Sequence, residues 1–506
     1  MKLIDLLIQS AAKYPNKIVV RDDTCEMTYT QLLSNTKRLS NILKSSGCGP
    51  GVKIAIVLPN CVAYFASFFA ISEVGATIIP MSSKMTVYEI VGFIKRADIT
   101  MVITTKKIAD KLREELENEE YVAILTAEQR PDYILAFGTF VSYPDRLNRD
   151  NEDVSLMVYT SGTTGQAKIV MLTDSQLISN MLAYRGMMNF CNSNVVYCSL
   201  PFHHIYCICA QILTHISLGD TFIVTANPFF VKDFLRQVQE YKITITALVP
   251  YLAMLISEYP NLDCFDISSL KYITLSSSSS SNILRQKLIT TFPCINFIDA
   301  YGMSEAGPRI SLTVPRLQDC PVGSVGKPIY AVKIRITNFC GCVLPVGQIG
   351  EIEISSPGIF KGYYNQPKLT KETVVDGWLK TGDLGKLDIK GNLYLFGRKK
   401  EIILCGGENI LPAEIEETIQ KNDFVREVAV VGIPDSRFQE VPCAFVVSRG
   451  GSCNETNIMD FCRKRLSSFK VPRKVFFVDK LPKLGTSKID RRGLKEIALS
   501  KLRVEL

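Results

Sequence analysis

The sequence predicts an α/β protein in which a large N-terminal multi-sheet α/β domain, ending in a β-rich subdomain, precedes a small α+β C-terminal domain. Three observations support this prediction. Short β-branched runs alternate with helical segments over roughly the first 320 residues, the pattern of parallel sheets with crossover helices. Turn-punctuated strands follow over about residues 322–397, and strands mixed with helices fill residues 401–506.

Short apolar runs of high β-propensity predict the strands of each region. In the first region they cover residues 53–58, 77–80, 99–104, 164–172, 195–200, 221–225, 243–249, 272–275 and 296–298. Helices are expected between them, for example at 87–95 and 232–241. Later elements are expected as strands at 332–336, 350–355, 392–396 and 428–432, and as a helix at 412–421.

Two apolar stretches could be mistaken for targeting or membrane segments. Asp5 and Gln9 interrupt the N-terminal run, whose leucines fall on one helical face, so we expect a helix rather than a signal peptide. Glu73 and Gly75 lie within residues 62–80, which we interpret as a buried helix and strand of an α/β domain. The sequence therefore predicts a cytoplasmic protein without a membrane span.

Composition excludes several classes of function. With 47% apolar and 21% charged residues the chain is typical of a folded globular protein, and its net charge of +8 suits anionic small ligands. No nucleic-acid-binding module pattern is found. The 16 cysteines include no Cys-x2-Cys pair, and only three histidines are present, so we expect free, mostly buried cysteines rather than a zinc site or disulfides.

Residues 159–173 have the composition of a loop that holds polyphosphate. Hydroxyls, two glycines and one lysine lie between two apolar runs, so backbone N–H groups and a cation can face one anion. The residues concerned are Thr160, Ser161, Gly162, Thr163, Thr164, Gly165 and Lys168. The Walker A pattern is excluded, because Ala167 and Ile169 stand where it needs Gly and Ser or Thr.

A second segment, residues 299–307, combines groups suited to a nucleotide and a metal ion. Tyr301 offers a flat face to a purine, and Asp299 can accept a hydrogen bond from its exocyclic amino group. Ser304 can donate to a phosphate, and Glu305 supplies a hard oxygen ligand for Mg²⁺.

Three later segments add charged residues suited to binding a nucleotide. Asp383 follows a glycine turn and can accept both ribose hydroxyls. Arg398 can bind phosphate and ribose oxygens with its planar fork. Lys488 lies in a polar loop near the C-terminus, from which it could approach an α-phosphate and a carboxylate.

The order and spacing of these five segments closely resemble the AMP-forming adenylating superfamily, which includes acyl-CoA synthetases, peptide-synthetase adenylation domains and beetle luciferases. The resemblance covers essentially the whole chain. It implies an AMP-binding domain over residues 1–397, with the β-rich subdomain at about 322–397. It further implies a hinge at 398–400, with Lys400 as its pivot, and a mobile C-terminal domain at 401–506 that carries the catalytic lysine.

The resemblance also implies the role of each site residue. Thr164, Glu305 and Lys488 are the expected catalytic residues, with Glu305 also binding Mg²⁺. The nucleotide is expected to contact the loop residues named above together with Asp299, Ala300, Tyr301, Gly302, Ser304, Asp383, Arg398 and Lys488. The acid is expected to contact His203, His204, Ser276, Gly302, Ala306 and Gly307. Gly406 and Gly407 are expected to let the pantetheine arm pass close to backbone.

The expected reaction is ATP-dependent activation of a carboxylic acid to acyl-AMP, followed by transfer to the thiol of CoA. Residues 201–206 resemble acyl- and aryl-CoA ligases, and no aspartate lies between Pro201 and Leu218 to pair an α-ammonium group, which favours a fatty or aromatic acid. Alternatives remain open: a ligase that loads a carrier protein, a luciferase-like oxygenase, or a non-catalytic nucleotide-binding paralogue. Oligomeric state is also open.

Two positions depart from the superfamily pattern. Residues 276–281 are six serines where relatives usually have small Gly or Ala residues, which predicts a more polar wall beside the purine. Ser487 replaces a common glycine just before Lys488, which restricts the backbone but leaves the lysine intact.

Overall fold

The computed structural model describes residues 1–116, 122–129, 134–139, 151–160, 168–190, 193–275, 282–314, 316–450, 453–483 and 489–504. Within these ranges the helices are α1 (Leu3–Lys13), α2 (Tyr29–Ser45), α3 (Val62–Val74), α4 (Val87–Ala97), α5 (Lys106–Glu115), α6 (Asp174–Met188), α7 (Ile205–Cys207), α8 (Thr214–Leu218), α9 (Val231–Tyr241), α10 (Pro250–Ser257), α11 (Asn282–Thr291), α12 (Pro367–Thr373), α13 (Pro412–Gln420), α14 (Glu455–Arg463) and α15 (Arg491–Val504). A π-helical segment, Ile208–Leu213, joins α7 to α8.

The strands of the α/β region are β1 (Ile18–Arg21), β2 (Glu26–Thr28), β3 (Lys53–Val57), β4 (Thr77–Pro80), β5 (Met101–Thr104), β6 (Ala123–Gln129), β7 (Ile134–Thr139), β8 (Val154–Thr160), β9 (Lys168–Thr173), β10 (Val195–Cys198), β11 (Thr221–Val224), β12 (Ile245–Leu248), β13 (Tyr272–Leu275), β14 (Asn296–Gly302), β15 (Arg309–Leu312) and β16 (Lys327–Pro328). The later strands are β17 (Lys333–Thr337), β18 (Gly350–Ser355), β19 (Gly362–Tyr363), β20 (Val374–Val375), β21 (Trp378–Leu387), β22 (Leu393–Arg398), β23 (Ile403–Cys405), β24 (Glu408–Ile410), β25 (Val425–Asp435), β26 (Gln439–Ser448) and β27 (Lys474–Phe477).

Two large sheets form the α/β region. One has the strand order β19-β9-β8-β4-β3-β5-β6-β7, and the other has the order β16-β15-β14-β13-β12-β10-β11-β1-β2. Their central strands pair in parallel, as crossover connections through helices require. Antiparallel pairs occur nearer the ends of both sheets, for example β8 with β9 and β14 with β15. Both of these antiparallel pairs carry predicted site residues.

Helix α3 is the centre of the main core. Nearly every residue of Val62–Val74 is buried, so its composition is apolar on all faces, as expected of a helix enclosed by other elements. The aromatic rings of Phe65 and Phe202 meet edge-on at 5.4 Å, which ties this helix to the loop that follows β10. In the part of the chain that the structure describes, no helix is long and apolar enough to cross a membrane.

The β-rich and C-terminal parts have sheets of their own. β17, β18, β21, β20 and β22 form an antiparallel sheet. β24, β23, β26, β25 and β27 form a mixed sheet in the C-terminal region, in which β27 pairs in parallel with β26. The C-terminal sheet packs with helices around a separate apolar core that includes Ile415, Phe445 and Leu494. The fold class predicted from the sequence is therefore confirmed, while the predicted boundaries at 397, 400 and 401 remain predictions.

Most predicted elements agree with the structure, and the differences have local reasons. The strand expected at 296–298 extends to Gly302 because β15 pairs with its end. The strand expected at 428–432 spans Val425–Asp435, since β26 pairs along its whole length. The strand expected from residue 164 is described only from Lys168 onward. The cysteines of the described ranges are free, and those at 198, 207, 209 and 443 are among the buried ones.

Candidate active site

The predicted phosphate loop connects two antiparallel strands. Thr160 ends β8 and lies opposite Lys168, the first residue of β9. The β8–β9 hairpin ladder therefore holds the two residues that flank the predicted loop. Ser161, Gly162, Thr163, Thr164 and Gly165 lie outside the described residues, as do Ser276 and the serine run.

Lys168, Tyr363 and Glu305 form a contiguous set beside the end of this hairpin. β19 pairs with β9, so that Tyr363 lies opposite Val170. The amine of Lys168 lies 4.9 Å from the centre of the Tyr363 ring, and the Tyr363 hydroxyl donates to Glu305 Oε1 at 2.8 Å. Burial and the Glu305 carboxylate raise the pKa of Tyr363 above its usual value, so the phenol keeps its proton and remains a donor. The predicted metal ligand is thus oriented by a phenol next to the strand that carries Lys168.

The loop that carries Glu305 is fixed by close backbone packing. The Asn180 side chain of α6 donates to the carbonyls of Ala306 and Arg309, at 3.1 and 2.9 Å. The backbone N–H of Phe360 donates to the carbonyl of Glu305 at 2.9 Å. A Cβ on Gly302 would lie 1.9 Å from the carbonyl oxygen of Pro308, so only glycine fits there. The short 3₁₀ turn Ser304–Ala306 is therefore held from both sides.

Tyr301, Asp383 and Arg398 form a second set on neighbouring strands. Asp383 and Arg398 are directly opposite each other in the β21–β22 ladder. The Tyr301 hydroxyl donates to Asp383 Oδ2 at 2.8 Å, and Arg398 Nε lies 3.2 Å from Asp383 Oδ1. Burial and the neighbouring carboxylate raise the pKa of Tyr301 well above its usual value. Asp383 is buried whereas the Arg398 side chain is 40% exposed, so the arginine can turn toward a ligand without unfolding the ladder.

Asp299 has a protein partner that the sequence did not suggest. Its Oδ2 lies 2.5 Å from Arg285 NH2, and both side chains are buried. Arg285 also donates to the carbonyl of Ser324 at 2.8 Å. A purine amino group that reached Asp299 would therefore share the carboxylate with an arginine. Ala300 lies next to Asp299 in β14, opposite Leu312 of β15.

The two histidines predicted at the acid site lie between β10 and α7. Their rings are 4.3 Å apart, and the backbone N–H of His204 donates to the carbonyl of Pro201. Burial lowers the pKa of His203 from 6.5 to about 3, with smaller contributions from His204 and Lys84. The His203 imidazole is therefore neutral at neutral pH and offers one donor and one acceptor.

The C-terminal site residues are described in part. Lys400 lies in the 3₁₀ turn Lys399–Glu401 directly after β22. Gly406 and Gly407 form the turn between β23 and β24 with φ of +59° and +87°, a conformation that favours glycine. Lys488 lies outside the described residues. Five residues before it, the Lys483 amine lies 5.0 Å from the centre of the Tyr251 ring, so this end of the C-terminal region faces α10.

Comparison with known proteins identifies the family. The sequence pattern of the AMP-binding enzyme family matches residues 7–364, and that of the AMP-binding enzyme C-terminal domain matches residues 414–488. The chain belongs to the AMP-binding enzyme family. A feruloyl-CoA synthase from an Amycolatopsis species is 30% identical over 485 residues, which are 95% of this chain and 96% of the relative.

Two further comparisons show how far the similarity extends. A long-chain-fatty-acid–CoA ligase from Escherichia coli O6:H1 is 26% identical over 535 residues, covering 99% of this chain and 95% of the relative. The crystal structure of ATP-bound MatB from Rhodopseudomonas palustris superposes with a TM-score of 0.86 at 25% identity, covering 98% of this chain and 99% of that one. The protein is an AMP-forming acid–CoA ligase.

Several residues of this candidate site had no signal in the sequence. Tyr363 and Asn180 lie 58 and 126 residues from their partners in the Glu305 loop. The sequence also did not predict roles for Arg309 and Arg285, because an arginine in an apolar strand or helix has the same local pattern whether it is exposed or buried. Only the three-dimensional packing reveals these partners.

Proposed function

We propose that this ligase activates a fatty or aromatic carboxylic acid in two half-reactions at one site. In the first, the carboxylate oxygen attacks the α-phosphorus of ATP, an acyl-AMP forms, and the bond to pyrophosphate breaks. In the second, the CoA sulfur attacks the acyl carbon, the thiol proton is lost to solvent, and AMP leaves with the bonding electron pair. The observation that carries the proposal is the set Lys168, Tyr363 and Glu305 beside the hairpin at 160–168.

Each group has a proposed task in the first half-reaction. Hydroxyls and N–H groups of residues 161–165, with Lys168, hold the departing pyrophosphate. Asp383 and Arg398 hold the ribose and its phosphate, since their ladder places a carboxylate and a guanidinium side by side. Lys488 approaches the α-phosphate, where its charge offsets the negative charge that develops in the transition state.

The residues present suit a magnesium ion bound chiefly through the nucleotide. Within the described residues no group of three or more His, Cys, Asp or Glu side chains could enclose a metal. Glu305 is a buried carboxylate whose Oε1 already accepts from Tyr363. Mg²⁺ is commonly held by one or two carboxylates with phosphate oxygens and water completing the octahedron, and Glu305 provides such a ligand. When bound, the ion would neutralise part of the triphosphate charge.

CoA is the acceptor of the ligase relatives, and a carrier-protein phosphopantetheine is the second candidate because both present the same thiol. The first experiment is ATP–pyrophosphate exchange with a panel of fatty, aromatic and dicarboxylic acids. Exchange with any of them supports adenylation, and its absence from a broad panel would remove the proposed function. Thioester formation is then measured with CoA and with holo-carrier protein at equal concentration. A carrier that outperforms CoA would replace CoA as acceptor in the proposal.

The proposed role of Lys488 predicts unequal losses in the two half-reactions. Lys488→Ala is expected to lower adenylation by about 100-fold or more, because a charge that stabilises the transition state is removed. Thioester formation from preformed acyl-AMP is expected to change much less. Lys480→Ala, in the same region, serves as the control. Equal losses in both half-reactions would contradict the assignment.

A further inference from the structure

The guanidinium of Arg309 is a buried cation that has no hydrogen-bond acceptor among the described residues. It is the first residue of β15, its exposed fraction is 2%, and it is among the largest fully buried side chains. Nε and both terminal nitrogens of its guanidinium lack an acceptor among the described residues. No ion pair of the described residues includes it, although most buried arginines in proteins are paired.

Two tyrosine rings enclose the guanidinium. Its central carbon lies 3.8 Å from the centre of the Tyr184 ring and 4.6 Å from that of Tyr206. The ring faces attract the cation, yet they accept no in-plane N–H bonds, so the donor edge of the guanidinium stays unsatisfied. An unsatisfied buried charge is costly, and a site that keeps one is suited to receive an anion.

The position of Arg309 connects it to the predicted acid site. Arg309 lies opposite Gly302 in the β14–β15 ladder, and its carbonyl accepts from the same Asn180 side chain that holds Ala306. Tyr206 follows the histidine pair by two residues, and its hydroxyl is 2.7 Å from Thr274 Oγ1 at the end of β13. One residue predicted to contact the acid, Gly302, therefore lies opposite Arg309 in the ladder, and two others, His203 and His204, directly precede α7, which carries Tyr206.

We propose that Arg309 binds a second anionic group, a carboxylate, at the end of the acid remote from the carboxylate that is activated. This inference rests on the proposed function and narrows its substrate class to acids that carry two carboxylates. A carboxylate presents two oxygens to the fork of the guanidinium, which satisfies the unpaired nitrogens. A plain hydrocarbon tail would leave them unpaired and would meet a charge, so unsubstituted fatty acids are poor substrates.

The test compares pairs of acids in the wild-type protein. Mono- and α,ω-dicarboxylates of equal carbon number, from three to ten carbons, are assayed by ATP–pyrophosphate exchange, together with benzoate against the phthalate isomers. We expect kcat/KM to favour the dicarboxylate of the best pair by roughly 10- to 100-fold, the range of one charged hydrogen-bonded contact.

Substitution of the arginine should reverse this preference. Arg309→Met has similar volume and no charge, and removal of an unpaired buried charge is compatible with folding. Its kcat/KM for the dicarboxylate should fall by about 10-fold or more. Its kcat/KM for the matched monocarboxylate should stay the same or rise. Arg309→Lys should retain part of the preference, because lysine keeps the charge without the planar fork. Arg236→Met, an exposed arginine of α9, is the control and should keep the wild-type preference.

The outcomes separate this inference from the proposed function. Exchange that is strongest with monocarboxylates would overturn the role of Arg309 while adenylation stands. An unchanged dicarboxylate preference in Arg309→Met would overturn it as well. Absence of exchange with every acid would overturn the proposed function and, with it, this inference. The comparison of mono- and dicarboxylates in the wild-type protein tests the inference even if a variant does not fold.

Discussion

Glu305 depends on a phenol from a distant segment for its orientation. Tyr363 lies 58 residues farther along the chain and donates to Glu305 Oε1 at 2.8 Å, while its ring also faces the Lys168 amine. One tyrosine therefore links the predicted metal ligand to the strand that follows the phosphate loop. Tyr364, the next residue, instead donates to Asp98 on the other side of the strand.

This pair of tyrosines allows a matched experiment. Glu305→Gln should lower the rate of ATP–pyrophosphate exchange by about 100-fold and weaken its dependence on Mg²⁺, because the anionic ligand is lost. Tyr363→Phe should lower the exchange rate by only about 10-fold, because the Glu305 carboxylate remains but loses one hydrogen bond. Tyr364→Phe is the control. Equal exchange rates in Tyr363→Phe and Tyr364→Phe would show that the hydrogen bond from Tyr363 to Glu305 does not contribute to adenylation.

The neutral state of His203 predicts a pH dependence of stability. In the folded protein its pKa falls to about 3, against 6.5 when it is free of its neighbours. Between these values the unfolded chain binds a proton that the folded chain does not, so the free energy of unfolding falls as pH is lowered through this window. His203→Gln should remove this contribution, which is at most about 1.4 kcal/mol per pH unit.

Denaturant unfolding at pH 4, 5, 6 and 7 measures the effect. Lys84→Met should reduce the slope in part, because Lys84 helps to lower the pKa of His203. Identical pH slopes in the wild type and in His203→Gln would show that another group is responsible.

At the scale of elements, the β14–β15 hairpin decides the geometry of the site. It carries Tyr301 and Glu305 toward different partners, and its turn contains the close contact of Gly302 with Pro308. The same pairing places Arg309 opposite Gly302. The chemistry of this region is thus controlled by a few backbone contacts.

Replacement of Gly302 should disrupt this hairpin. The added methyl group of Gly302→Ala would lie 1.9 Å from the Pro308 carbonyl oxygen, which already accepts from the backbone N–H of Met303. We expect a loss of about 1–3 kcal/mol in the free energy of unfolding, together with weaker exchange activity. Gly49→Ala, where a Cβ meets nothing within 4 Å, is the control for thermal and denaturant unfolding. Equal stability of the two variants would contradict the close contact.

Many elements could be predicted from the sequence because their local signals are strong. The strand predicted at 77–80 is observed at those residues, and the helix predicted at 232–241 is observed at Val231–Tyr241. Others escaped prediction for a physical reason. β1, β2 and β19 are only two to four residues long, and they exist because neighbouring strands offer them hydrogen bonds.

At the scale of the whole molecule, the C-terminal region lies with its lysine-bearing end toward α10. The Lys483 amine lies 5.0 Å from the centre of the Tyr251 ring, and the Gly406–Gly407 turn joins β23 to β24. We expect this orientation to serve adenylation, because it brings Lys483, five residues before Lys488, against α10 of the large α/β region. The second half-reaction would then require rotation about residues 398–400.

Restriction of the hinge should separate the two half-reactions. Lys400→Pro fixes φ near −65°, a value compatible with the 3₁₀ turn at Lys399–Glu401, so rotation about this residue is hindered. Exchange activity should remain within about threefold of the wild type, while thioester formation from acyl-AMP and CoA should fall about 10-fold or more. Lys400→Ala removes the same side chain but leaves φ free, and it should retain both activities. A Lys400→Pro protein with normal thioester formation would exclude a hinge at this residue.

The sequence alone determined the class of reaction, because the groups that adenylation needs lie in short segments whose residue types can be recognised one by one. It also determined the alternation of strands and helices, since periodicity is a local property. The tertiary structure decided which groups meet. Tyr301 and Asp383 are 82 residues apart, and the buried guanidinium of Arg309 lies between rings from α6 and α7. Such contacts are fixed by packing between distant elements, which no local pattern of residues records.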